Sequence, residues 1–575
     1  MKTIVYLLKK LEEMGITDFF GLPGDYNFNI VSQIEKNPNL NWIGCTNELN
    51  AGYASDGYAR EKGFGALVTT YGVGELSAIN AIAGSFAENV PVIHIVGTPP
   101  LDAFKSEKIL HHSFQGADSK VYMKMHEAVT SASAFLNKDG AKLEIDRVLK
   151  TFYKERKPVY LAIPSDIAVM EISDREIDYD WVSDSENLET AVKLISDKIN
   201  KAFKPAILAD SLINRFGAKK EFDTFLEQAS VPAVNFLTGA GIIDANYKNF
   251  AGNFLSTYGN LTANSLMKET DCLISVGVIN GDLNSYGAKL PYKINSHIAI
   301  YGTYSYIDGI KYDNIKMSDV LIGVSKNLRN KKSAIKVEDI GYESMPPARE
   351  ALSSNYIYSR LQSFIKEGDI IIAETGLISH GIFKMKLPSN TKIHSQLIWC
   401  SIGWATASAL GVCIANPNAR VLLVTGDGAH QISAMEIGNM HRYGVTPLIL
   451  VINNDGYGIE RLLFGNEKAK FNDIMQMDYS KFVRSFKGEV WSTCVNTEDD
   501  FDKALRVTQI MDKLCYIEAV TNKSDIPDTA NCLFYLNDSE KFVSKSEQSD
   551  EQLSVSGINN NYETSVHASI KEFEG

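Results

Sequence analysis

The sequence predicts an α/β protein of three doubly wound parallel-sheet domains, and three observations carry that expectation. Apolar runs of strand length alternate with stretches of helical period along most of the chain. At 575 residues the chain exceeds one ordinary core. The clearest unit begins with an apolar run, Ala419–Val424, that ends in Gly426-Asp427-Gly428. Ile432, Met435, Ile437 and Met440 follow at helical spacing, and a second run, Pro447–Ile452, ends in Asn453-Asn454-Asp455-Gly456. Strand, helix and strand at this length form a βαβ unit with parallel strands and a right-handed crossover. Asp427 and Asn454 then leave the same carboxyl edge of a sheet, where open α/β sheets bind ligands.

The first domain, 1–172, opens with an amphipathic helix over Val5–Met14 and a strand over Thr17–Gly21. Pro23-Gly24-Asp25-Tyr26 breaks the chain at the strand end. A strand over Leu40–Thr46 leads to Asn47-Glu48, and Ala51–Arg60 carries small residues at helical spacing, as a helix packed close on a sheet would. Ala66–Thr70 is a strand, Glu75–Glu88 a helix and Pro91–Gly97 a strand. Asp25, Glu48 and Thr70 thus converge on carboxyl strand ends. Singly, Asp25 reads as a turn residue and Glu48 as a helix cap. Tyr71-Gly-Val-Gly lacks the third glycine and the acidic residue of a dinucleotide fingerprint, which excludes NAD.

Acidic, aperiodic Ile172–Glu186 is a linker. The central domain, 187–330, has helices expected at Asn187–Phe203, Phe222–Ala229 and Asp319–Leu328. Its strands are expected at Pro205–Asp210, Pro232–Leu237, Cys272–Val278 and His297–Tyr301. No convergent acid, histidine or phosphate loop marks it, so it reads as a structural spacer. Polar Lys331–Pro347 is a second linker. The last domain, 348–536, adds a strand over Asp369–Ala373 that ends in Glu374-Thr375-Gly376. Residues 537–575 are rich in Ser, Glu and Asn and read as a flexible tail.

Composition excludes several function classes. Hydrophobic content of 45% and charged content of 22% describe a soluble globular protein. A net charge of −13 without a Lys/Arg cluster argues against nucleic acid as a partner. No apolar run is long enough for a membrane span, and Met1-Lys2-Thr3 enters a helix rather than a signal peptide. Seven scattered cysteines without a CxxC pair read as free thiols in a reducing compartment, the cytoplasm.

Asp427, the Asn454 amide oxygen and Gly-freed carbonyls form an all-oxygen set that suits Mg²⁺. The glycines admit a diphosphate to the backbone, and the next helix offers it an N-terminus. Gly-Asp-Gly, 24 residues, then Asn-Asn resembles the diphosphate-and-magnesium motif of thiamine diphosphate enzymes. Gly21-Leu-Pro-Gly-Asp-Tyr-Asn27, Asn47-Glu-Leu-Asn-Ala-Gly-Tyr53, Asp56-Gly-Tyr-Ala-Arg60 and Thr69-Thr-Tyr-Gly-Val-Gly-Glu75 resemble the pyrimidine-binding domain of pyruvate and indolepyruvate decarboxylases. Leu110-His111-His112 is similar to that family's histidine pair, which without these blocks would read as a loop pair. The match runs, with gaps, from the N-terminus to about residue 530.

The resemblance implies a thiamine diphosphate- and Mg²⁺-dependent decarboxylase that converts a 2-oxo acid to an aldehyde and CO₂. It implies that Glu48, in a largely apolar site, bonds the aminopyrimidine ring, and that Asp25, His111, His112 and Glu460 relay protons. It implies cofactor contacts from Thr70, Thr375, Ile402, Gly426, Asp427, Gly428, Ala429, Asn454, Gly456 and Ile459, with Asp427, Asn454 and the Gly456 carbonyl on Mg²⁺. Ile402 would wedge the cofactor into a bent conformer. Sites at a subunit interface make a homodimer the smallest active unit and a homotetramer the expected assembly.

Four departures stand out. Cys400 takes the place of a usual glycine, and Ala429 that of a serine. Ser113–Ser119 replaces a Gly-rich run. Leu377-Ile378-Ser379-His380 replaces larger apolar residues, so Ser379 widens the substrate pocket and His380 adds a polar, cationic group; Leu463 completes that wall. A substrate other than pyruvate is the expectation, unless the alignment is displaced by one residue. The rival readings are a carboligase using the same cofactor and a non-catalytic cofactor-binding relative.

Overall fold

The computed structural model describes residues 1–106, 108–116, 118–174, 177–255, 261–285, 297–329 and 341–532. The tail at 537–575, positions 533–536 before it and positions 331–340 of the second linker lie outside the described residues. Three sheets organise the rest.

The first sheet comprises β1 (Asp18–Gly21), β2 (Asn41–Gly44), β3 (Gly65–Thr70), β4 (Val92–Thr98), β5 (Ala132–Phe135) and β6 (Val159–Pro164). All its pairs are parallel, in the order β2-β1-β3-β4-β6-β5. Burial is complete along β1, β3, β4 and β6, which explains their unbroken apolar runs. The expected elements are present with ends shifted by a few residues. Beyond them lie β5, β6 and the helices Phe28–Lys36 and Ala141–Glu155.

The central sheet holds β7 (Pro205–Ala209), β8 (Ala233–Asn235), β9 (Phe250–Asn253), β10 (Cys272–Val276), β11 (Ile298–Ile300), β12 (Tyr304–Ile307) and β13 (Ile310–Asp313). Its order is β13-β12-β11-β10-β7-β8-β9. The expected wholly parallel sheet is corrected at this edge, because β11, β12 and β13 form an antiparallel meander. The meander turns at Asp308-Gly309, both at positive φ, the Asp-Gly signal of a tight hairpin.

The third sheet holds β14 (Ile370–Ala373), β15 (Lys392–His394), β16 (Val421–Gly426), β17 (Leu448–Asn453), β18 (Val490–Val495) and β19 (Leu514–Val520), all parallel. Its order, β15-β14-β16-β17-β19-β18, repeats the first sheet strand for strand. In each, the strand order reverses between the first strand and the third, creating a switch point there. One helix expected over Ile432–Tyr443 is instead broken. Asp427–Ser433 starts at the strand end, a 3₁₀ turn covers Ala434–Glu436, and Ile437–Arg442 continues.

The first and third domains share one core. The helix Glu48–Lys62 packs its small residues against β3 and also against the helix Trp404–Ala415 of the third domain. A Cβ at Gly57 or Gly411 would overlap the Ser408 or Ala54 carbonyl oxygen, so the approach requires glycine on both helices. Asp56, Arg60 and Glu88 are buried in this seam, with Arg60 donating to both carboxylates. The Trp404 indole N–H donates to Asp56 Oδ1 at 2.9 Å.

Candidate active site

The two switch points collect the residues that the sequence singled out. Asp25 follows β1 in the 3₁₀ turn Asp25–Asn27. Asn27 fixes that turn, its Oδ1 accepting Gly24 N–H and its Nδ2 donating to the Leu22 carbonyl, each at 2.9 Å. A Cβ at Gly24 would sit 2.7 Å from Thr70 Cβ, so glycine brings the turn against the end of β3. Thr70 is buried, and its Oγ1 has no hydrogen-bond partner among the described residues.

Asp25 Oδ2 lies 2.8 Å from His111 Nε2. The His111 ring stacks on Tyr26 at 4.6 Å, and its Nδ1 is 3.0 Å from the Tyr26 hydroxyl. His112 follows at φ 63°, its carbonyl accepting the Tyr122 hydroxyl at 2.9 Å and its buried Nδ1 lacking a partner among the described residues. Sequence reasoning missed Tyr26; its place next to Asp25 at a strand end was the available signal.

Glu48 is the first residue of its helix, capped by Asn47, whose side chain accepts Asn50 N–H at 2.8 Å. Burial raises its carboxyl pKa. Gly74 leaves room for it, since a Cβ there would be 3.1 Å from Glu48 Oε1. Thr46 and Asn50, on either side, donate to Glu436 Oε2 of the third domain at 2.6 and 3.1 Å.

At the second switch point, Gly426 ends β16 and Asp427 begins the helix that continues through Gly428 and Ala429. Asp427 is buried, and its carboxylate accepts Gly428 N–H and Gly456 N–H, both at 2.9 Å. Burial pushes its pKa up to about 6 even with these donors. Asn454 follows β17, and the chain then turns through Asp455 at φ 63° and Gly456 at φ 128°. Arg461, also missed in the sequence, holds this turn by donating to the carbonyls of Asn454 and Asp455.

Glu374, Thr375 and Gly376 follow β14. Glu374 is buried and accepts from Thr375 N–H, Gly403 N–H and Thr425 Oγ1, which ties the ends of β14 and β16 to the Trp404 helix. Burial raises its pKa to about 7. Cys400 occupies φ 56°, the left-handed region that suits glycine, and Ile402 is 36% exposed. Ile459 sits beside Gly376, whose hypothetical Cβ would be 3.5 Å from Ile459 Cγ2. Glu460 is exposed on the helix Gly458–Phe464, and Leu463 is half-buried there.

Ser379 and His380 lie on the short helix Leu377–Ile382, both buried. Ser379 Oγ donates to the Gly376 carbonyl at 2.8 Å. The cationic His380 is corrected: burial lowers its pKa to about 4, so the ring is neutral. Among the described residues, no hydrogen bond or ion pair joins Asp25, Glu48 or the histidines directly to Asp427 or Asn454. Glu436 instead ties the segment after Asp427 to Thr46 and Asn50, which flank Glu48.

Comparison with known proteins supplies the remaining findings. Residues 1–123 match the N-terminal TPP binding domain of thiamine pyrophosphate enzymes, 192–310 the central domain and 375–519 the C-terminal TPP binding domain. The chain is 32% identical to a pyruvate decarboxylase of Kluyveromyces lactis, over 91% of this chain and 96% of that one. It is 34% identical to a pyruvate decarboxylase of Candida glabrata, over 87% and 91% of the two chains. It is 32% identical to an alpha-keto-acid decarboxylase of Mycobacterium leprae, over 92% and 94%.

Proposed function

The chain belongs to the thiamine pyrophosphate enzymes, among the 2-oxo acid decarboxylases, and from that premise we propose how its residues divide the work. The reaction is the non-oxidative decarboxylation of a 2-oxo acid to an aldehyde and CO₂, a carboxy-lyase activity that uses thiamine diphosphate. One observation carries the assignment of the site. Asp427 is a buried carboxylate at a sheet switch point, held by the N–H groups of two glycines with Asn454 beside it.

The residues fit the cofactor. Asp427 and Asn454 present oxygens where a hard cation and a diphosphate would lie, and Gly426 has open space where a side chain would stand. Among the described residues, buried Thr70 Oγ1 and His112 Nδ1 are polar atoms without partners at the other switch point. When bound, thiamine diphosphate supplies a nucleophilic ring carbon and an electron sink for the pair left by CO₂.

Asp427, Asn454 and the Gly456 carbonyl are the groups that would hold Mg²⁺. Gly428 and Ala429 line the diphosphate, and Thr70, Thr375, Ile402 and Ile459 position the rings. Glu48 would hold a proton within reach of the cofactor's pyrimidine, and the burial that raises its pKa favours the proton-holding form. Asp25 and His111 hold a proton between Oδ2 and Nε2, and with His112 and Glu460 they would deliver it to the substrate carbon that CO₂ has left, which becomes the aldehyde carbon. Glu48 and Asp427 belong to different domains, so we assign the complete site to the interface of a homodimer, with a homotetramer as the assembly. Free cysteines fit a cytoplasmic location.

The wall formed by Ser379, His380 and Leu463 favours a 2-oxo acid larger than pyruvate and uncharged at its far end. Small Ser379 makes space, its hydroxyl is turned to the Gly376 carbonyl, and neutral His380 offers no charge. Turnover of pyruvate, branched-chain, aryl and dicarboxylic 2-oxo acids, followed by aldehyde and CO₂ release with and without Mg²⁺, tests both readings. A clear pyruvate preference ends the substrate assignment. Cofactor binding without CO₂ from any acid ends the decarboxylase reading, and coupled products from an added aldehyde would mark a carboligase.

A further inference from the structure

We propose that Asp25, His111 and His112 form a second, inhibitory metal site that takes a nitrogen-seeking divalent ion such as Zn²⁺ and is distinct from the Mg²⁺ position at Asp427. The consequence for activity rests on the proton-transfer role given above to these three residues; the binding itself does not. Each of the three offers one ligand atom, and these atoms lie within 4.8 Å of one another. Around a tetrahedral Zn²⁺ with bonds of ~2.0–2.1 Å, ligand atoms stand roughly 3.3 Å apart, so small side-chain rotations suffice. Asp25 and His111 are 49% and 56% exposed at their side chains in the single chain, so an ion in solution can reach both.

Two imidazoles and one carboxylate suit Zn²⁺, whereas Mg²⁺ prefers oxygens alone and sheds its waters reluctantly. His112 Nδ1 is a buried nitrogen without a hydrogen-bond partner among the described residues, so engaging it breaks no bond seen there. His111 comes with its support in place. With Nε2 on the metal, the ring's single proton resides on Nδ1 and is donated to the Tyr26 oxygen, now at 3.0 Å. The ion then occupies the space of the proton that Asp25 and His111 share, so the relay is blocked without displacing Mg²⁺.

The test uses the full-length holoenzyme with thiamine diphosphate and excess Mg²⁺, titrated with Zn²⁺ alone by equilibrium dialysis and with Co²⁺ by visible absorption. Wild type is expected to bind one more equivalent than Asp25→Asn or His111→Gln, and to show a tetrahedral Co²⁺ spectrum that both variants lose. Tyr26→Phe keeps the site but weakens it by about 10–100-fold, the usual loss when a ligand's supporting hydrogen bond is removed. Cys494→Ser, which alters an exposed thiol, leaves the stoichiometry unchanged. Inhibition of wild type by Zn²⁺ should be reversed by a chelator and not by added Mg²⁺. Equal stoichiometry in wild type and both variants, or relief of inhibition by Mg²⁺, overturns the proposal. Stoichiometric binding to a protein without decarboxylase activity would retain the metal site and reject the catalytic reading.

Discussion

Glu436 Oε2 accepts the Thr46 hydroxyl at 2.6 Å, joining the segment after Asp427 to the residue two before Glu48. The same oxygen accepts Thr46 N–H and Asn50 Nδ2. Glu436 is fully buried, so its acceptor strength fixes the start of the Glu48 helix relative to the third domain. Glu436→Gln exchanges a charged acceptor for a neutral one and is expected to destabilise by about 1.5–3 kcal/mol, read by urea unfolding. Because Glu48 shifts with its helix, kcat should fall with little change in KM. Unaltered kcat in a folded variant would remove the positioning role.

Metal affinity should depend on pH through Asp427. Its pKa in the metal-free protein, about 6, lies above the unfolded carboxyl value near 4. That shift contributes stability which is full below about pH 4 and is lost as pH rises through 6. Mg²⁺ requires the ionised form, so its affinity should fall by about tenfold per unit below pH 6 and level off above it. Mg²⁺ titrations at pH 5, 6 and 7 check this. A flat profile would mean that another group carries the ion.

Arg60 donates from Nε to Asp56 at 2.6 Å and from a terminal nitrogen to Glu88 at 2.8 Å, all three being buried. Arg60→Met leaves both carboxylates uncompensated and should cost about 3–5 kcal/mol. Adding Asp56→Asn and Glu88→Gln should recover most of that loss. Unfolding midpoints of the single and triple variants measure the difference.

Cys400 sits in the left-handed region at φ 56°. Cys400→Val places a β-branched residue there and should cost about 1–3 kcal/mol. Cys400→Gly relaxes the backbone but frees the unfolded chain, so its net effect should stay within about 1 kcal/mol. Thermal denaturation of the two variants separates them.

The sequence revealed what periodicity and punctuation encode. Buried β16 and β17 are uninterrupted apolar runs, and Asp427 and Asn454 mark their ends, so both the unit and its ligand edge were legible. Asp25, Glu48 and Thr70 were placed by the same logic. Glu436, Arg461 and Tyr26 were not, because each acts through a partner distant in sequence: Glu436 on Thr46, Arg461 on Asn454, Tyr26 on His111. The β12–β13 meander was missed because its short, half-exposed strands give no apolar run. His380 was assigned a charge because exposure cannot be read from residue type alone.

The glycine-lined contact between the Glu48 and Trp404 helices has a mechanical consequence. Carbonyl oxygens of each helix meet a glycine of the other there, so the two domains of one chain cannot slide or pry apart without uncovering main-chain surface. Any movement that admits substrate must therefore come from elements outside this contact.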